Sequence, residues 1–322
     1  AENLVAIRGS GAVHCAPTNH VFSNNIITAT HACLRGLPPG SPGGCNEPAA
    51  FSIWCAAGNA FDRNTIRATG QSHGLRISDE SDENSFTNNT VWVGDQMAGD
   101  AGAVFIAAGN PDKHSPRNNI FRSNVVRSDG ALALNLQSPG SGNIFEQNVF
   151  WTNTADTANA FNGGANDNRF RYNTFYNAGS APTIVFDYGN DRTADTFRNN
   201  IVASAGSTAV QTGQFAFSRY AGDRNLWWST NANTLTSANG SLSGWRTASA
   251  NADDMNSAYS DPLFVNAGGG DFHLQSSSPA RGLGDGGNDA GAYQYSGAAP
   301  VCTASWICGA WLACVNGNQA RT

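Results

Sequence analysis

The 322-residue chain is short of charge: Lys, Arg, Asp and Glu make up 13%, about half their usual share in globular proteins. Lysine is nearly absent, Lys113 being the single example, and 24 acidic residues against 18 basic ones give a formal net charge of −6. A phosphate-binding surface needs the opposite balance, so nucleic acid is not an expected partner. No apolar run approaches the roughly 18 residues of a membrane span, and none is expected. The opening residues AENLVAIRGSG lack a charged n-region and an apolar h-region, so a mature or trimmed start is expected. Also missing are C-x-x-C metal spacing, a Gly-x-Ser-x-Gly elbow and a phosphate loop. The seven Cys fall into two groups, Cys15, Cys33, Cys45 and Cys55, then Cys302, Cys308 and Cys314. That usage fits an exported, oxidised protein better than a zinc protein. The four N-terminal Cys leave three connectivities open.

What fills the space is small polar residues, 36 Gly and 17 Phe. Disorder couples low hydrophobicity to high net charge, and neither holds here. Seven windows share one pattern: HVFSNNII (20–27), NAFDRNTI (59–66), NSFTNNTV (84–91), NIFRSNVV (119–126), NIFEQNVF (143–150), NRFRYNTF (168–175) and DTFRNNIV (195–202). The third position is always Phe and the sixth always Asn: Asn25, Asn64, Asn89, Asn124, Asn148, Asn173 and Asn200. Successive anchors, continued to a weaker copy at Asn225, lie 39, 25, 35, 24, 25, 27 and 25 residues apart. A period near 25 with two long intervals reads as one coil plus insertions. Alternation at period two excludes a helical repeat, and no Leu marks the sites of a leucine-rich repeat.

A parallel β-helix fits, in which equivalent positions stack at about 4.8 Å. The Phe column then fills the bore. The Asn is expected at a bend, tolerating left-handed φ, with its amide forming a ladder along the axis. A second strand precedes each window. Counting back from each window start puts Leu75, Ile77, Leu134, Leu136, Ile184 and Phe186 inside. It puts Arg76, Asn135, Ala160 and Asp187 in one outward column, and Ser78, Gln137, Asn162 and Gly189 in its neighbour.

The repeat resembles the right-handed parallel β-helix superfamily of secreted, carbohydrate-active proteins. Residues 242–295, with Asp261 to Phe264, Asp271 to Leu274, Ser278 to Ala280 and Asp289 to Tyr295, resemble the closing segment of many such solenoids. With the resemblance, the repeat spacing implies an all-β, right-handed parallel β-helix of about 8–10 coils over residues 1–230. A C-terminal capping segment over 231–298 would then cover the open end. Residues 299–322 resemble the start of a thrombospondin type 1 repeat, through Trp306, Cys308, Gly309, Trp311, Cys314, Asn316, Gly317, Arg321 and Thr322. That implies a module cut short, and attachment to a cell surface through the remainder of that module.

The resemblance directs attention to uronate-containing polysaccharide. A lyase or epimerase needs a carboxylate neutraliser, a base and an acid; a hydrolase needs two carboxyl groups about 5–9.5 Å apart. The outward columns hold no two acids on adjacent coils. Arg76 and Asp187 stand about four coils, near 19 Å, apart. This counts against a Ca²⁺-dependent pectate lyase and a polygalacturonase. The remaining catalytic candidates are His73, Arg76, His114 and Tyr188. Substrate-binding candidates are Lys113, Asn135, Gln137, Asn162 and Asp187. Lys113 and His114 lie in the interval lengthened to 35 residues, where an inserted loop would wall the column. Arg76 with Asn135 would hold a carboxylate while His73, His114 or Tyr188 moves the proton. The bland alternative is a solvated surface. No metal site is assigned, although the acidic turn Asp79 to Glu83 offers oxygen ligands to Ca²⁺. Two functions emerge: a secreted polysaccharide lyase or epimerase, or a non-catalytic extracellular protein that binds glycans or cells.

Overall fold

In the computed structural model the described residues are 5–8, 19–31, 49–70, 73–94, 102–107, 114–130, 132–137, 140–154, 158–162, 167–187, 194–213, 215, 217–230, 235–236 and 239–297. Short strands follow one another around a bore and pair in parallel with the coils on either side. They form three parallel sheets of eight, eight and nine strands, so eight coils run through all three. The first sheet begins with Val5–Arg8 and Ala49–Trp54, the second with Val21–Ser23 and Ala60–Asp62, and the third with Ile26–His31 and Thr65–Gly70. The fold is an all-β parallel β-helix at the lower end of the expected coil number. No described helix is long and apolar enough to cross a membrane.

The Phe of all seven windows pair in register across the second sheet. From Phe22 to Phe170 their rings stack with centroids 4.7–5.2 Å apart, the separation that strand spacing imposes on side chains of one row. Leu75, Ile77, Leu134, Leu136, Ile184 and Phe186 join them in the core, as the counting predicts.

The anchor Asn form the expected ladder. Each backbone N–H and each Nδ2 donates to Oδ1 of the Asn one coil on, at 2.9–3.2 Å, from Asn25 through to Asn225. The second Nδ2 hydrogen reaches the Phe carbonyl of the preceding coil, as Asn64 does to Phe22 at 2.9 Å. Buried amides are thus fully used. The bend differs from expectation, because the left-handed residue is the one before the anchor. Asn24, Arg63, Asn88, Ser123, Gln147, Tyr172, Asn199 and Arg224 all have φ between 53° and 60°. The pivot falls there, and the anchor is left free to aim its amide along the axis. A second ladder, not anticipated, uses the first window position. It runs from the His20 amide through Asn59, Asn84, Asn119, Asn143 and Asn168 to Asp195.

The closing segment divides its work. The helix Leu242–Ala248 starts at Ser241, whose Oγ accepts the Gly244 amide at 3.3 Å. Its Trp245 is fully buried and packs on Phe215, Phe217 and Tyr220, closing the bore. Asp254 is where the cap meets the anchor ladder. Fully buried, it accepts from Tyr220 and Trp245 on Oδ2 and from Asn225, Trp227 and Ser257 on Oδ1, ending the anchor ladder. The remaining part does not cover the open end. Phe264, Phe272, Leu274, Ala280 and Ala290 pack instead on Val149, Tyr176, Ile201 and Leu226, on the outer flank of the third sheet. Residues 299–322 lie outside the described residues, as do all the Cys except Cys55, so the pairing question lies there too.

Candidate functional site

Two outer faces bear on function. On the first sheet, register builds the row Ser52, Arg76, Phe105, Asn135, Ala160 and Val185. Asp187 is not in it. Asp187 stands beside Asn162, which stands beside Gln137. The coil between Asn173 and Asn200 is two residues longer than its neighbours. The extra residues fall after Asp187, so counting back from the window shifted this strand by two. Tyr188 and Lys113, and the side chain of Asn162, lie outside the described residues.

His73, Arg76 and Asn135 do come together, around Phe105, but they are buried. Arg76 points away from the bore yet is only 9% exposed. Its guanidinium carbon lies 5.5 Å from the Trp54 ring and 5.7 Å from that of Phe105, and Nε donates to Ser78 Oγ at 3.1 Å. The His73 ring stacks on Phe105 with centroids 4.4 Å apart, and its Nδ1 accepts the Gly102 amide at 3.1 Å. Burial first, then the Arg76 charge, lower its pKa to about 4, against the Gly102 carbonyl 3.3 Å from Nδ1, which favours the protonated ring. The ring is therefore neutral at pH 7, with Nδ1 already in use.

His114 is not part of this cluster. It sits past the end of the strand His73–Ser78, at the acidic turn, where its carbonyl accepts the Glu80 amide and Nε2 lies 3.6 Å from Asp82 Oδ2. Asp82 also accepts the Arg117 amide at 2.8 Å. Burial raises its pKa, helped by the Glu83 charge, over the lowering effects of Arg117 and His114. The turn's carboxylates do not converge. Among the described residues no group of three or more His, Cys, Asp or Glu is placed to hold a metal.

The second face belongs to the third sheet and was missed. Its outward row reads Thr28, Arg67, Trp92, Arg127, Trp151, Tyr176, Ala203 and Trp228. The signal was in the sequence, since each is the third residue after an anchor Asn. The closing segment covers this face only from Trp151 onward, with Phe272 edge-on to that ring at 5.8 Å and Gly270 against it. Before that point the row is accessible. Trp92 lies flat over Gly94, where a Cβ would come within 2.7 Å of the indole; a side chain there would push the ring off the sheet. Trp92 Nε1 and Arg127 Nε both donate to Asp129, each at 2.8 Å. The Arg127 guanidinium sits 4.3 Å above Trp151. Arg67, one coil before Trp92, is exposed, with no ion-pair partner among the described residues. An oriented aromatic face thus lies between two guanidinium groups.

A third feature is a cavity of about 390 Å³ between the last coils of the second sheet and the cap, lined by Arg198, Asp223, Asp253, Met255 and Asn256 among others. Its carboxylates are occupied with holding the cap. Asp223 accepts the Asn256 amide and side chain at 2.8 and 2.9 Å and Arg198 at 3.3 Å. Burial raises its pKa, but these bonds outweigh that and hold it below the usual range. Asp253 accepts the Gly222 amide at 3.1 Å. Burial, with the Asp254 and Asp223 charges, raises its pKa to about 6.

No family model matches the chain, and no curated protein does. A solved structure of trypsin-treated QnrB1, a plasmid-mediated fluoroquinolone resistance protein, is similar at 9% identity. The match covers 75% of this chain and 91% of that one with a TM-score of 0.21, too low to carry an argument.

Proposed function

We propose that this chain is an extracellular glycan-binding protein that presents the flank of its solenoid to polysaccharide. The observation that supports this reading is the accessible row Arg67, Trp92 and Arg127, with its indole held flat by Gly94 and Asp129. A flat aromatic ring offers a sugar's C–H face an apolar contact while neighbouring donors take its hydroxyls. The ring is already oriented, which lowers the ordering cost of binding. Placement outside the cell rests on the cysteine usage and the resemblance in sequence alone. The test is retention on immobilised polysaccharides. The native chain is retained and Trp92→Ala is not; equal retention of both discards the reading.

A second reading is a lyase or epimerase acting on uronate glycans at the first sheet. It is favoured by one observation, a neutral imidazole (His73) beside a guanidinium (Arg76). It requires that cluster to open, since both side chains are buried. Appearance of unsaturated-uronate absorbance, abolished by His73→Ala, would establish it. No absorbance change on alginate, pectate or glycosaminoglycan would dismiss the lyase, and no exchange of the C5 hydrogen with deuterated water would dismiss the epimerase as well.

A further inference from the structure

We propose, building on the reading of the third-sheet flank as a glycan platform, that its ligand is an acidic polysaccharide lying along the solenoid axis. Its carboxylates would recur on one side at every second sugar. The argument is one of spacing. Arg67 and Arg127 occupy the same row two strands apart, with Trp92 between them. Parallel strands repeat at about 4.8 Å, so the backbones of the two Arg stand about 9.6 Å apart along the axis with that of Trp92 midway, and the Arg127 guanidinium leans onward over Trp151. The row therefore reads cation, aromatic, cation. A sugar stacked on Trp92 has one neighbour toward Arg67 and the other toward Arg127. The ligand that fits carries an acid group on each neighbour and none that must be desolvated against the ring.

Charge supports the same occupant. Asp129 faces Arg127 and takes its Nε, which fixes the guanidinium while its remaining N–H groups stay available for a fork-like bond to a carboxylate. Arg67 has no such counter-charge among the described residues, so the accessible row carries net positive charge on a chain whose formal net charge is −6. Direction comes from the flanks. Beyond Arg127 the row is closed by Trp151 with Gly270 and Phe272 seated on it. In the other direction it runs out over exposed Thr28 of the first coil. The polymer therefore ends or turns away at the closing segment.

The experiment compares two probes on the intact chain: a hexasaccharide of alternating uronate and neutral sugars, and the same hexasaccharide with its carboxyls reduced to alcohols. Titration calorimetry at low salt is expected to give at least about tenfold tighter binding of the acidic probe. Arg67→Ala should remove most of that preference with an unchanged melting curve. Arg63→Ala, an exposed Arg paired with Asp62 and outside the row, should keep it. Equal affinity for the two probes overturns the charge proposal and leaves the platform standing. Binding of neither probe overturns both. A preference that survives Arg67→Ala, or that Arg63→Ala abolishes equally, overturns the assignment to this row.

Discussion

The outer faces of the first and third sheets are built by the same geometry and put to opposite uses. Each places an Arg among aromatic residues of neighbouring coils. On the first sheet Arg76 is boxed between Trp54 and Phe105 and bonded to Ser78, so its charge is spent on cohesion. On the third sheet Arg67 is exposed and Trp92 beside it is half-buried. A solenoid repeats its backbone, so location on an outer face says nothing about availability. What decides is which of the equivalent positions have neighbours large enough to close over them.

The widest separation between the two faces should appear in stability. Arg76→Ala is expected to cost about 3 kcal/mol through lost packing of the buried stem and guanidinium. A fall in the urea midpoint with unchanged slope would show it; a change under about 0.5 kcal/mol would mean the box is not cohesive. Acid should then act on the first face. His73 is held at about 4 in the folded state against an ordinary 6.5. Its contribution is complete above pH 6.5 and is lost as pH falls toward 4, because the unfolded chain takes up the proton first. By pH 5 that amounts to about 2 kcal/mol. Replacing His73 with Leu should flatten this limb of the stability–pH curve, and an unaltered limb would assign it elsewhere.

On the third face the effects shrink in stability and grow in binding. Gly94→Ala should cost about 1 kcal/mol, since its new Cβ displaces the indole, and should weaken polysaccharide retention as Trp92→Ala does. Tryptophan fluorescence read alongside would register the displaced ring. Arg67→Ala should move stability by less than about 0.5 kcal/mol. If it destabilises as much as Arg76→Ala, the contrast between the faces is false.

Much of the architecture is readable from residue order alone. Phe and Asn at fixed positions of the windows define rows, and rows define stacking. The reading failed where a local length changed. Two extra residues after Asp187 moved that side chain out of the column assigned to it. It also failed where burial depends on neighbours not in the repeat. Nothing in the HGLRIS strand says that Phe105, one coil on, will cover His73 and Arg76. The third-sheet row was legible as the third residue after each anchor. It lies in the strand after each window, where aromatic and Arg residues read as ordinary outward positions, and not in the strand before it.

The amide ladders have one further consequence. Every Asn donates toward the following coil and accepts from the preceding one, so the small dipoles add up along the axis. Both ladders end on a carboxylate, Asp195 for one and Asp254 for the other, placed where the aligned donors run out. At the opposite end Asn25 presents an acceptor. The rod is therefore electrically directional. A coil turned over within the stack would set oxygen against oxygen, so the same hydrogen bonds that hold each coil to the next also fix its polarity.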